Sequence, residues 1–185
     1  HARLFNIGGE GQAMFAGLGV ALCCLFIPWP HWTLALAGSA LFAGLFGAAW
    51  ALIPAYLQAK RGSHIVITTI MFNYIAFSVL GYMLVNVLRP KGAGEPASVR
   101  FPEATHLPTF QDMFSTAATP LFRSAPANVS FFLALAACVF VYLLIWRTRL
   151  GYEIRHFGFS ETAANYAGTS AVRITIIAML ISGAL

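Results

Sequence analysis

An all-α, polytopic bundle of membrane-crossing helices is the fold class this sequence predicts, and three observations predict it. Between Glu10 and Lys60 run 49 residues without an Asp, Glu, Lys or Arg. Such a run belongs in lipid, where a crossing helix takes about 20 apolar residues. Composition agrees: 59% of residues are hydrophobic and 9% charged, against about 25% charged in ordinary soluble domains, and the mean hydropathy is +0.75. Third, the eleven basic residues are scattered at the ends of apolar runs.

Four full crossings and the start of a fifth are read in order. The first covers Gln12 to Ile27 and stops at Pro28-Trp29-Pro30-His31-Trp32, since prolines end helix and tryptophans suit the headgroup boundary. The second covers Thr33 to Ile53. It carries Ala40, Gly44 and Ala48, and beside them Ser39, Ala43, Gly47 and Ala51, at intervals of four. This flat face is predicted to meet another helix, because close approach through small residues drives packing in lipid; the alternative is that Gly and Ala merely fill the helix. The third crossing covers Ile65 to Leu88, the fourth Asn128 to Trp146, and the fifth runs from Val172 to Leu185. Because the fifth is still apolar at Leu185 and residue 1 is His, residues 1–185 read as one transmembrane domain cut at both ends. No secretory signal is read after Arg3.

The connections follow from charge and proline. With the first turn outside, Arg3, Lys60, Arg61, Arg147, Arg149, Arg155 and Arg173 fall in the cytoplasm, against Arg89, Lys91, Arg100 and Arg123 outside. That bias has the positive-inside sign. Residues 89–127 are then an external loop. It holds six of the nine prolines and is predicted to be irregular, with one helical turn at Phe110 to Phe114. Residues 148–171 are a cytoplasmic loop. Within it Ser160 is a good N-cap, Glu161 suits a first turn, Ala163 and Ala164 favour helix, and Gly168 supplies a left-handed stop. The pattern predicts a helix of about two turns outside the bilayer, a lever for a moving soluble partner or a plain surface helix.

Nothing in the sequence points to catalysis. A P-loop lysine, a nucleophile elbow, a zinc-binding His-Glu-x-x-His and paired carboxylates are all absent from the sequence, and no cofactor or metal is expected. Cys23, Cys24 and Cys138 sit in apolar segments without ligand spacing. The net charge of +5 is scattered rather than gathered on one face, so nucleic acid is not an expected partner. Crossings two, three and four hold no acidic group, so any energy source is expected in another subunit. Gln12, Thr68, Thr69 and Asn73 are the polar candidates to line a path for a small neutral solute, hydrogen bonding between helices being the alternative. On the first reading, Asn73→Leu lowers transport more than membrane abundance. The Asn128-Val129-Ser130 sequon at a membrane edge is read as chance.

One segment is more specific. Leu150-Gly151, Arg155, Gly158, Ala163-Ala164, Gly168 and Ser182-Gly183-Ala184-Leu185 resemble the cytoplasmic loop and following helix of ATP-binding-cassette permeases of the branched-chain amino acid, ribose and nucleoside group. Phe5-Asn6-Ile7-Gly8-Gly9-Glu10-Gly11-Gln12, and Ala59-Lys60 with Gly62, Val66-Ile67-Thr68-Thr69-Ile70-Met71, Asn73 and Tyr74, resemble the subgroup that works with basic-membrane-protein-type lipoproteins. The matches span nearly the whole chain in the family's order. There are departures: His64-Ile65 stands where many relatives carry Asn-Glu, and His156, Ser160-Glu161 and Thr169 replace commoner residues.

The resemblance implies a multi-pass permease subunit of the bacterial cytoplasmic membrane, part of a larger permease and not an enzyme. It implies ATPase subunits acting on Gly151, Arg155, Gly158, Ala163, Ala164 and Gly168. It also implies a second permease subunit, the same chain or a sister, and an extracellular solute-binding lipoprotein. The solute would be a nucleoside, riboflavin or a simple sugar. The competing readings are an ATPase-independent channel or secondary carrier, and a non-transporting scaffold.

Overall fold

The computed structural model describes residues 4–90, 92, 94, 95, 97–109 and 128–185. The predicted turn at Phe110 to Phe114 lies outside the described residues. Among the described residues seven α-helices follow in order: α1 (Gly9–Phe26), α2 (Trp32–Arg61), α3 (Ile65–Asn86), α4 (Ser130–Arg147), α5 (Arg149–Phe159), α6 (Glu161–Tyr166) and α7 (Ala171–Ala184). Among the described residues there is no strand, only an isolated bridge between Thr109 and Asn128. The helices α1 to α4 are long and apolar enough to cross a membrane, and α7 is apolar but, at 14 residues, shorter. The chain is a multi-pass helical membrane protein.

Two helices depart from the predicted limits. The first begins at Gly9 instead of Gln12, so Glu10 stands in its first turn. The second runs past Ile53 and through Pro54 to Arg61. A proline inside a helix costs about 3 kcal/mol in water, through its missing N–H and its clash with the carbonyl four residues back. Here Pro54 is buried between Ala51 and Ala55, both 0% exposed, and packing against neighbouring helices holds such turns in membrane proteins. The helix stops at Gly62, whose φ of 65° is left-handed.

Pro28 to His31 turn α1 back onto α2. The ring nitrogen of His31 accepts from the Thr33 amide at 3.3 Å and caps α2. Trp29 folds inward, its indole N–H donating to the Cys23 carbonyl at 3.1 Å. The hairpin is then sealed by Phe15 stacking on Trp50, ring centroids 3.7 Å apart.

The small-residue face of α2 meets another helix as predicted, and the partner is α7. A Cβ built on Gly47 collides with the Gly183 carbonyl oxygen, and one on Gly183 lies 2.5 Å from the Ala51 Cβ and 2.6 Å from the Gly47 oxygen. Backbone therefore touches backbone. α3 lies on α1 through Thr69 and Ala76, both fully buried. α4 has no buried residue. Asn128 lies just before it, its Oδ1 accepting from the Ser130 amide at 3.1 Å. In the 89–127 connection the described residues hold one short 3-10 turn, Glu103–Thr105.

Candidate functional site

The first helix starts inside the bundle. Its Gly11 amide donates to Asn73 Oδ1 at 2.9 Å, and Asn73 lies about 12 Å along α3 from Ile65 at a rise of about 1.5 Å per residue. On α2 the same Gly11 faces Trp50, about 16 Å from Arg61 by the same rise. Residues 4–8, which are not helical, reach that depth along α3 and α7.

Non-helical backbone within a membrane needs its polar groups answered by the protein. Asn73 Nδ2 donates to the Ile7 carbonyl at 3.0 Å, and Asn6 Oδ1 accepts from the Gly8 amide at 2.9 Å. The Gly8 carbonyl accepts from the Gln12 amide at 3.0 Å, the first bond of α1. Asn6 Nδ2 reaches both Gln12 Oε1 at 3.2 Å and Ser182 Oγ at 3.1 Å, so α1 and α7 share one polar knot. Gly8 fits because a Cβ there would stand 3.2 Å from Thr69 Cβ and 3.3 Å from Gln12 Nε2.

Of the four predicted path residues, the fold brings Gln12, Thr69 and Asn73 together. Gln12 is 4% exposed and Thr69 fully buried, its hydroxyl turned back to the Ile65 carbonyl at 2.8 Å. Thr68 stands apart. Its hydroxyl donates to the His64 carbonyl at 3.1 Å and takes no part in the cluster. Asn6 and Ser182 complete the cluster and were not among the candidates; their signal was a polar side chain beside an apolar run. A groove of about 570 Å³ opens beside the knot, lined by Ile7, Glu10, Met14, Ile70, Asn73, Tyr74 and Phe77.

The second candidate region is an elbow of two helices, not the single short helix predicted. The helix α5 went unread, although Leu150, Ile154 and Phe157 mark an apolar face at helical spacing. Thr148 caps it, Oγ1 accepting from the Gly151 amide at 3.1 Å. At Gly151 any Cβ would collide with the Leu144 and Ile145 carbonyls, so glycine lets α5 fold tightly against the last turn of α4. Ser160 ends α5 and opens α6, its hydroxyl accepting from the Ala163 amide at 3.3 Å.

Gly168 closes α6. Its φ is 84°, its amide donates to Asn165 at 3.0 Å, and Thr169 donates to the Ala164 carbonyl at 2.9 Å. That pair of bonds is a Schellman stop. Ala164, 0% exposed, packs with Ile154, Phe157 and Ile174, tying the elbow to α7. Gly158 is buried, whereas Ala163 is exposed. Arg155 places its guanidinium 4.5 Å above the Trp146 ring, a cation–π contact that ties α5 back to α4. Outward stand Phe159, 80% exposed, and Tyr166, 90% exposed. Neither aromatic was singled out from sequence, since an apolar residue on a short loop helix carries no periodic signal.

The family described as "Branched-chain amino acid transport system / permease component" matches residues 1–185. The chain belongs to this family. Several permease proteins are similar to it along nearly its whole length. It is 33% identical over 184 residues to the glucose ABC transporter permease protein TsgB13 of Haloferax volcanii, covering 99% of this chain and 48% of that protein. It is 32% identical over 189 residues to the guanosine ABC transporter permease protein NupP of Bacillus subtilis, covering 98% and 49%. It is 31% identical over 183 residues to the nucleoside ABC transporter permease protein NupB of Lactococcus lactis subsp. cremoris, again covering 98% and 49%. The chain thus spans about half the length of the curated relatives it matches. No solved structure matches it.

Within this permease family's pattern, the geometry gives several of the resembling residues a physical reason. Gly183 is required where α7 meets α2, Gly151 at the elbow, and Gly168 at the stop. The departure at His64 is mild, since His64 precedes α3 without a side-chain cap.

Proposed function

We propose that this chain is the membrane-crossing part of an importer subunit in a bacterial cytoplasmic membrane, moving a neutral polar solute and driven by separate ATPase subunits. The observation that carries the reading is the elbow. Two capped helices outside the apolar spans are joined through Ala164 and Ile174 to α7, and α7 is locked to α2 at Gly47 and Gly183. A push on α6 is therefore passed to α7 and from α7 to α2. The relatives' names, glucose, guanosine and nucleoside permeases, support a nucleoside or simple sugar as the solute.

In this reading residues 148–171 face the cytoplasm and 89–127 the outside. Gly151, Gly158 and Gly168 set the elbow's shape, Ala164 anchors it, Arg155 braces it on Trp146, and Ala163 lies on the exposed face with Phe159 and Tyr166 that meets the ATPase. A second permease subunit completes the path and a solute-binding lipoprotein delivers the cargo. The solute passes the level of Gln12, Thr68, Thr69 and Asn73. The test is uptake of labelled adenosine, guanosine and D-glucose by the whole transporter in proteoliposomes. ATP-dependent uptake of one of them is the expected result, and flux without ATP or ATPase would establish a channel or carrier instead.

A further inference from the structure

Glu10 lies level with the middle of the apolar helix α3. The sequence placed it before the first crossing, but α1 begins at Gly9, and the bonds from Asn73 to Ile7 and Gly11 fix residues 7–11 beside the middle of α3. Ile65 to Asn86 make the length of α3 about 32 Å at a rise of about 1.5 Å per residue, close to the hydrocarbon thickness of about 30 Å. Its midpoint lies between Ile75 and Ala76, so Glu10, level with Asn73, stands within about 5 Å of the mid-plane. Among the described residues the Glu10 carboxylate has no cation and no hydrogen-bond donor. A carboxylate at that depth is costly in lipid and marks a water-filled path or a partner.

The groove at Glu10 supplies both kinds of hydrogen-bonding group. Of the four amides that open α1, Asn6 takes Gly8 and Asn73 takes Gly11, which leaves the Gly9 and Glu10 amides without acceptors among the described residues. Two open donors thus stand beside an acid that only accepts. A hydroxyl both donates and accepts, so a ring carrying neighbouring hydroxyls answers the two sets at once. Tyr74 and Phe77, 73% and 68% exposed, border the same groove and offer apolar faces to the ring. At about 570 Å³ the groove is of the size that holds small organic ligands. A solute carboxylate would instead meet Glu10 as a like charge.

We infer that Glu10, with the open amides of Gly9 and Glu10 and the rings of Tyr74 and Phe77, forms a mid-membrane subsite for the hydroxylated ring of a neutral sugar or nucleoside, and disfavours carboxylate solutes. This rests on the importer reading above.

The test uses the whole transporter in proteoliposomes, with Cys23, Cys24 and Cys138 changed to Ala and Glu10→Cys introduced. A charged, lipid-insoluble methanethiosulfonate is expected to modify the position 10 thiol, and adenosine or D-glucose to slow the modification. An unreactive thiol would mean that position 10 faces lipid, and it overturns the inference whatever the solute proves to be. In parallel, Glu10→Gln is expected to lower the maximal rate of adenosine or D-glucose uptake about tenfold, the loss of one charge-assisted hydrogen bond, at unchanged membrane abundance and ATPase association. Uptake equal to the parent, a matching fall in abundance, or a thiol that neither solute protects each overturns it. If the parent transports none of adenosine, guanosine and D-glucose, the importer reading has failed, and thiol reactivity alone then decides whether Glu10 lines water.

Discussion

Asn73 holds Gly11. The side-chain Oδ1 accepts from the Gly11 amide at 2.9 Å while the Nδ2 of the same group donates to the Ile7 carbonyl at 3.0 Å. One amide from α3 therefore fixes both the last extended residues and the first turn of α1. Asn73→Leu leaves the part-buried Gly11 amide unanswered, at about 1–3 kcal/mol, and frees the exposed Ile7 carbonyl as well. Membrane abundance is expected to fall along with uptake, whereas the sequence alone pointed to a loss of uptake first. Asn73→Asp keeps an acceptor for Gly11 but turns an oxygen toward the Ile7 carbonyl and sets a second carboxylate in the groove of Glu10, so it should rescue little. Quantitative immunoblotting of membranes beside uptake assays checks the order.

The approach of α2 to α7 sets a second expectation. Any side chain on Gly183 must enter space held by Gly47 and Ala51, and overpacking of this kind costs about 1–3 kcal/mol or more. Gly183→Val should lower the melting midpoint of the detergent-solubilised protein by several degrees. Gly9→Ala is the control, because nothing lies within 4 Å of a Cβ there.

The crossings were legible because lipid demands long apolar runs, and the small-residue stripe on α2 was legible because it repeats every four residues. The start of α1 was not. Residues 5–11 carry no periodicity, and their depth is set by Asn73 and Asn6, which act through tertiary hydrogen bonds that no local pattern reports. The end of α2 was missed for a related reason: Pro54 reads as a stop in isolation, and burial against neighbouring helices overrides it. In the loop, Ser160 and Gly168 mark α6, while α5 is separated from α4 by Thr148 alone, with no Gly or Pro to divide it from the crossing.

The stop at Gly168 is open to a direct check. A residue with a Cβ loses about 1 kcal/mol in the left-handed region, and Asn less. Gly168→Val should raise hydrogen exchange at the amides of Asn165, Tyr166 and Thr169, and Gly168→Asn should restore most of the protection. Ser160→Ala removes the cap of α6 and is expected to cost about 1 kcal/mol in the same segment.

The variants that test coupling are best drawn from the outward face of the elbow. Gly158 is buried inside α5, so Gly158→Pro would break the helix as well as any docking, and Arg155→Glu would lose its contact with Trp146. Either loss would be ambiguous. Tyr166, 90% exposed, and Phe159, 80% exposed, contribute little to the fold and present apolar rings on the outer face of the elbow. Aromatic residues of this kind dominate binding energy at interfaces, with losses of about 2 kcal/mol or more on truncation. Tyr166→Asp and Phe159→Asp should therefore weaken co-purification of the ATPase at least about thirtyfold, by that energy, and stop uptake, while membrane abundance and the melting midpoint stay within error of the parent. Retention of a bound, uptake-competent ATPase by the double variant would place the motor elsewhere on the chain.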